Sequence, residues 1–130
     1  MAQSLSKTRE EVLASNVVAA IPAAGNTDLL EVLTNNVERL AVEIVLTTQA
    51  FDAFIMLARI HPDSVYVTIT NAITATPGGV VLAASGTLAT LAAANTGWAL
   101  LDVRPFFSVK FQASAVVDGA NVTIRAAGRN

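Results

Sequence analysis

Apolar and polar residues alternate with a period of two along most of this chain. The clearest case is residues 39–47, where every second position is apolar and the positions between them include Arg39, Glu43 and Thr47. Successive side chains of a β-strand point to opposite faces, so this spacing predicts strands with one face buried in the core and the other exposed to water. The positions expected to face the core are Leu40, Val42, Ile44 and Leu46; Val65, Val67 and Ile69; Phe107, Val109, Phe111 and Ala113; and Val122 and Ile124.

Turn-forming residues divide these apolar runs into about eight short strands. The turn signals lie at 24–26, 35–36, 61–63, 76–79, 95–97 and 118–119. The candidate strands lie near 16–21, 28–34, 38–48, 52–60, 65–71, 80–91, 98–103 and 106–116, with 120–127 as a ninth piece. Many short strands and few helix signals predict an all-β fold, either an antiparallel β-sandwich or a jelly-roll-like arrangement.

Three segments sharpen this prediction. Asp118-Gly119 lies between the last two strands and predicts a hairpin, because Gly supplies the positive φ that such a turn requires. Residues 53–58 lack alternation, which is typical of a central strand with a second surface against it. The alanine-rich segment 87–94 is compatible with a strand and, as an alternative, with a helical turn.

The amino-terminal residues 1–15 differ from the single sandwich domain predicted for 16–130. Thr8-Arg9-Glu10-Glu11 reads as a capping box that opens a short helix through about Ala14. The alternative is a frayed terminal arm, whose functional version reaches a neighbouring subunit.

Charged residues are scarce in this chain. They make up 14% of it, against about 25% in an ordinary soluble domain, whereas hydrophobic residues make up 53%. One interpretation is a domain that is simply poor in charged residues. The other, which we favour, is a surface that neighbouring molecules cover in an assembly. Because Cys is absent, a disulfide scaffold and a thiolate metal site are excluded.

The charge distribution also bears on the partners. The net charge is −2 and the eight basic residues are scattered, so the basic stripe that nucleic acid requires is missing. Residues 80–101 are apolar and long enough to span a bilayer, but Ser, Thr, Asn and Gly interrupt them. No apolar signal-peptide region opens the sequence. We therefore expect no nucleic-acid partner and no membrane segment.

The residues that could support catalysis are few. His61 is the only histidine and lies in a turn, and no Gly-x-Ser-x-Gly motif presents a nucleophile. Asp52 lies between Phe51 and Phe54, where a structural turn or an ion pair with Arg59 explains it better than catalysis does. No calcium-loop or phosphate-loop motif occurs. We expect no catalytic residue, no metal ligand, no cofactor and no enzyme activity.

Two aromatic residues are candidates for recognition or for an interface, namely Trp98 and Tyr66. An exposed Trp on a β-sandwich can stack on a sugar or anchor a protein partner. The alternative, which we favour for Trp98, is a core position that caps one end of the sandwich.

The carboxyl-terminal third carries a resemblance. Residues 97–103 (GWALLDV), 107–114 (FSVKFQAS) and 121–126 (NVTIRA) resemble the strands of small β-sandwich virion proteins of tailed bacteriophages, including decoration (cement) proteins and tail-associated modules. The resemblance covers about a quarter of the chain and implies a β-sandwich in a virion. It implies no catalytic residues, because these families share no catalytic motif.

Three functions follow as hypotheses. The first is a structural virion protein, a capsid decoration protein or another head- or tail-associated protein. It would bind itself and other virion proteins as a homo-oligomer and be assembled in the host cytoplasm. The second is a carbohydrate- or receptor-binding module built on Trp98 or Tyr66. The third is an enzyme or small-ligand protein with a polar pocket around His61 or Asp52.

Overall fold

The computed structural model of the chain describes residues 11–69, 80–83 and 96–129, and these ranges form β-strands joined by turns. The fold class predicted from the alternating pattern, all-β, is confirmed. The nine strands of the described ranges are β1 (Glu11–Ile21), β2 (Thr27–Leu33), β3 (Arg39–Leu46), β4 (Phe51–Arg59), β5 (Val67–Thr68), β6 (Val80–Ala83), β7 (Thr96–Asp102), β8 (Ser108–Ala115) and β9 (Ala120–Arg129).

The strands form two sheets that pack as a sandwich. One sheet has five strands in the order β1-β9-β3-β7-β6, and the other has four in the order β2-β8-β4-β5. The chain changes sheet after β1, β2, β3, β5, β7 and β8, which is the jelly-roll arrangement with β6 added at one edge. Among the described strands, all the pairs are antiparallel except β6 with β7, which is parallel. The predicted β-sandwich of jelly-roll type is therefore confirmed.

Most of the core comes from the apolar positions of β3, β4, β8 and β9, and Leu29, Val32 and Leu101 are buried with them. Leu40, Val42, Ile44 and Leu46 are each at most 3% exposed, as their spacing predicts. Val109, Phe111, Ala113, Val122 and Ile124 are also buried. In β4, Phe54, Met56 and Ala58 are buried whereas Ile55 and Leu57 are half-buried, so this strand alternates after all, and it pairs with strands on both sides. Burial of such side chains stabilises the fold by about 1.5–3 kcal/mol each.

Three phenylalanines link the central strands of the four-stranded sheet. The ring centroids of Phe51 and Phe54 are 5.8 Å apart and those of Phe54 and Phe111 are 5.5 Å apart. Phe54 and Phe111 lie on neighbouring strands, so the stack ties β4 to β8 across the core. Stacked pairs at this spacing contribute about 0.5–1.5 kcal/mol beyond their buried area.

The prediction of a helix or arm that reaches to residue 15 is wrong for residues 11–15. They belong to β1, which pairs with β9 in a register from Glu11 opposite Arg129 to Val18 opposite Val122. The backbone N–H and C=O groups of residues 11–15 find hydrogen-bond partners in β9, so they do not need the partners that a helix and its capping box would provide. Pairing with a distant strand therefore overrides the local helix signal. The capping residues before Glu11 lie outside the described residues.

The predicted hairpin at Asp118-Gly119 is also wrong, because β8 and β9 lie in different sheets. The glycine has the expected positive φ, +110°, and its N–H donates to the carbonyl of Ile21. The Asp118 carboxylate accepts a hydrogen bond of 2.7 Å from the N–H of Ala23. The same turn chemistry therefore steers the chain from one sheet to the other and fixes the connection between β1 and β2.

The segment 65–70 gives the third correction. Val65 and Val67 are 79% and 60% exposed, although the alternation predicts that they face the core, and Ile69 is half-buried. Only Val67 and Thr68 form a strand here. This strand is the edge of the four-stranded sheet, where the facing sheet does not cover Val65 and Val67.

The turn expected at 95–97 is wrong as well, since Thr96 and Gly97 begin β7. The signals at 76–79 and 87–94 lie outside the described residues.

Candidate interaction surface

The residues considered for catalysis do not come together. Asp52 lies at the start of β4 and His61 lies in the turn beyond its other end, and the strand from Asp52 to Arg59 alone extends for roughly 23 Å. Asp52 is exposed, and Arg59 turns instead to the Ser108 hydroxyl (2.8 Å) and the Pro62 carbonyl (2.9 Å). The proposed ion pair between Asp52 and Arg59 is therefore wrong.

His61 lies in the turn that its sequence predicts. Its side chain is 61% exposed and its Nδ1 accepts a hydrogen bond of 3.0 Å from the N–H of Asp63. This ring nitrogen is occupied in holding the turn. Within the described ranges, no three His, Asp or Glu side chains are grouped closely enough to hold a metal ion, and no helix there is long and apolar enough to cross a bilayer.

An apolar surface lies on the outer face of the five-stranded sheet. The strand register places its outward side chains in cross-strand rows, one of which contains Leu13, Ala127, Ala41 and Leu100 from four successive strands. Every member of this row is apolar. In β6, Leu82 is the residue paired with Leu100.

A groove of about 600 Å³ runs over the middle of this face. Its floor is formed by Ala41 and Ala127, whose short side chains leave space between the neighbouring strands. Leu13 forms one wall and is 73% exposed, and Trp98 and Leu100 form the opposite wall. We call this feature the alanine groove. Small side chains in the centre and large ones on both sides produce a concave apolar surface.

Trp98 lies on this wall and not in the core, so the favoured core interpretation is wrong. It is 39% exposed, whereas its neighbours Gly97 and Ala99 are buried. Alternation decides this arrangement: the small residues of β7 face the crowded core, and the indole takes the outward position between them. An exposed indole is a large apolar contact area with one hydrogen-bond donor.

An ion pair lines the groove beside Trp98. Arg125 Nη1 lies 2.7 Å from Glu43 Oε1, and Glu43 is the cross-strand partner of both Arg125 and Trp98. The glutamate is 34% exposed and the arginine 59%. The two charges compensate each other, so this row contributes no net charge to the face.

A charged row closes one end of the same face. It contains Arg39, Asp102 and Arg129, which are cross-strand neighbours. Arg104 hydrogen-bonds the Asp102 carboxylate through its side chain and its backbone N–H, and these bonds lower the pKa of Asp102 to about 2. The carboxylate is therefore charged at any physiological pH. An apolar centre with a charged border is typical of protein interfaces.

Tyr66 lies on the opposite side of the molecule, over the outer face of the four-stranded sheet. Its hydroxyl donates to a Glu31 carboxylate oxygen and lies 2.8 Å from the Ser108 hydroxyl. The Arg59 guanidinium and the Lys110 ammonium lie 4.9 and 4.7 Å from its ring centroid. Burial, and secondly the bond to Glu31, raise the pKa of Tyr66. These contacts occupy the ring, which fastens the 60–66 turn to the sheet.

Trp98 and Tyr66 therefore do not form one recognition site. The sequence reasoning found Trp98 but missed the alanine groove next to it, chiefly because Leu13 fell in a segment assigned to an arm. The available signal was the occurrence of alanine at the outward positions 41 and 127 of two strongly patterned strands. That these positions are adjacent follows only from the pairing of β3 with β9.

Comparisons with known proteins give a shared fold. No protein-family profile matches the chain, and no curated protein matches it in sequence. Its structure is similar to that of the SPBc2 prophage-derived protein YomS, with a TM-score of 0.59 and 14% identity over 98% of this chain and 100% of that one. A structure of Bacillus endospore appendages that form disulfide-linked pili has a TM-score of 0.42, with 9% identity over 99% of this chain and 96% of that one. A structure of infectious bursal disease virus, Gx strain, has a TM-score of 0.43, with 13% identity over 98% of this chain and 36% of that one. The first similarity establishes a common fold, and the other two are too distant for an argument.

Proposed function

We propose that this protein is a structural component of a phage particle, a capsid decoration protein or another head- or tail-associated protein, and that it acts by binding protein surfaces. The observation that carries the proposal is the outer face of the five-stranded sheet, with its apolar row and its groove. A soluble monomer rarely exposes a large contiguous apolar patch unless the patch has a partner.

The charge content of the chain supports this role. Only 14% of the residues are charged, and those on the apolar face are either paired across strands, as Glu43 and Arg125 are, or placed at its border. Depletion of charge at the centre of a patch is the compositional mark of an interface. The fold shared with a prophage-derived protein agrees with a phage origin.

The proposed mechanism is mechanical. Two hydrogen-bonded sheets around one apolar core make a rigid body that presents the groove without rearrangement. Binding to an assembled lattice then stabilises the lattice by mass action, because the protein binds the assembled form in preference to free subunits. We propose no catalytic step, since Asp52 and His61 are far apart and the His61 Nδ1 is occupied by its turn.

Particle composition tests this proposal directly. Phage particles made by cells carrying this coding sequence are purified through a density gradient, analysed by mass spectrometry and labelled with an antibody to the protein. We expect many copies per particle and labels on the head or the tail. Absence of the protein from gradient-purified particles, with the protein present in the cell lysate, would refute the proposal.

The second candidate is a carbohydrate-binding module, which one observation favours. Trp98 is 39% exposed and lies beside the carboxylate of Glu43 and the guanidinium of Arg125, so a stacking surface adjoins hydrogen-bonding groups. This candidate predicts glycan-array binding that Trp98→Ala abolishes and Trp98→Phe partly preserves. An array without hits, together with Trp98 fluorescence that sugars do not alter, would remove it.

A further inference from the structure

We propose that the occupant of the alanine groove is a second copy of this chain, with Trp98 and Leu100 of each copy seated in the groove of the other. The inference rests on the proposed function only in taking this face as a docking surface. It adds the partner and the geometry, a two-fold dimer built on the five-stranded sheet.

The strand order makes this face complementary to itself. The groove lies over β9 and β3, and the ridge of Trp98 and Leu100 lies on β7, the next strand. With neighbouring strands about 4.8 Å apart, the ridge lies roughly 7 Å from the centre of the groove. A two-fold axis that runs along the strands midway between them, close to β3, places each ridge over the other groove. One rotation therefore fills both grooves at once, which is the isologous contact of a closed dimer.

The charges of the face permit this contact. The Glu43–Arg125 pair lines the groove in the same cross-strand row as Trp98 and is already closed at 2.7 Å within one copy. A partner related by the two-fold axis brings an identical neutral pair, so the dimer buries no unpaired charge, which would be costly. Arg39 and Asp102 lie at the border, where they remain accessible to water.

The area of the face is also sufficient. Five strands at about 4.8 Å span roughly 24 Å, and the seven residues of β7 extend for about the same length. The flat area is therefore roughly 580 Å² before the relief of the side chains is counted. A standard interface buries about 600–1,000 Å² per partner, so the flat area is close to the lower end of that range and the relief of the side chains adds to it.

Oligomeric state and a matched pair of variants test the dimer. Sedimentation and native mass spectrometry of the full chain should show a dimer. Ala127→Arg places a charge on the groove floor and should raise the dimer dissociation constant more than about 100-fold. Leu33→Arg is the control: Leu33 is 53% exposed on the outer face of the other sheet, and its substitution should leave the dimer intact.

Cross-linking provides a second measurement that does not depend on the folding of Ala127→Arg. The chain has no cysteine, so a single thiol introduced by Ala41→Cys on β3, close to the axis, should join two copies through a short bismaleimide. Leu33→Cys should not be joined. A monomer at every concentration, or a dimer that Leu33→Arg disrupts and Ala127→Arg does not, would overturn the inference. A monomer that is still found in particles would overturn the dimer and leave the proposed function standing.

Discussion

Gly128 provides a sharp test of how tightly this sandwich is packed. It is a buried position of β9, where the connection between β2 and β3 crosses over the end of the sheet. A methyl group added to it would lie 2.8 Å from Cγ1 of Val37 and 3.3 Å from Cδ1 of Leu40. Val37 is 4% exposed and β-branched, so it cannot rotate freely out of the way.

The expected magnitudes follow from this contact. Overpacking of a core costs about 1–3 kcal/mol, and the gain from removing a flexible glycine offsets about 0.5–1 kcal/mol of it. Gly128→Ala should therefore lower the free energy of unfolding by about 1–2 kcal/mol. Val37→Ala removes two buried carbons and leaves a void, so it should cost about 2–3 kcal/mol.

The double variant tests whether the new methyl group and Val37 are in contact. In Gly128→Ala/Val37→Ala the new methyl group enters the space that the valine vacates, so the loss should be smaller than the sum of the two single losses by about 1–2 kcal/mol. Urea unfolding followed by circular dichroism measures all four proteins of the cycle. Additivity would refute the reasoning. Phe51→Leu, at the opposite end of the sandwich, is the control that should add independently to Gly128→Ala.

The remaining predictions concern a titration and a strained residue. Tyr66 is the only tyrosine, so its absorbance titration should have a midpoint above the ordinary value of 10.0, and Glu31→Gln should lower that midpoint without restoring it fully, because burial remains. Since the folded-state pKa is raised, the associated stability is present below pH 10 and lost as the pH rises through the folded value; a midpoint at 10 would contradict the burial of the ring. Ala20 has a φ of +58°, so Ala20→Gly should raise the free energy of unfolding by about 0.5–1 kcal/mol, whereas Ala19→Gly, at the neighbouring position without positive φ, should lower it by a similar amount. Thermal unfolding of both variants decides this, and two equal losses would show that Ala20 is not strained.

Several charged side chains of this protein are paired with each other or packed against an aromatic ring. On the outer face of the five-stranded sheet, Glu43 and Arg125 neutralise each other across two strands. Arg104 pairs with Asp102, which belongs to the charged row at the end of β7. On the opposite face, Lys110 and Arg59 contact the ring of Tyr66. These charged side chains are thus engaged with one another or with the Tyr66 ring. The apolar row on the outer face of the five-stranded sheet is left without charge.

Local pattern in the sequence determined the strands and the inward faces of the best-patterned ones. The period-two spacing of Leu40 to Leu46 and of Val122 and Ile124 placed these residues in the core, because a strand with one buried face has only one arrangement that keeps its polar side chains in water. The turn residues divided the strands nearly correctly. Gly25, Asn36 and Gly119 all adopt the positive φ that their turns require.

Tertiary structure alone decided which strands are neighbours. The Asp118-Gly119 signal could specify a tight change of direction but not whether the next strand joins the same sheet or the facing one, since both require the same local φ. Leu13 became part of the candidate surface only because β1 pairs with β9, and Trp98 faced outward because Gly97 and Ala99 suited the crowded interior better. The alanine groove depends on contacts between residues far apart in the chain. Such contacts leave no local pattern, because pairing energy depends on the partner strand and not on the sequence of either strand alone.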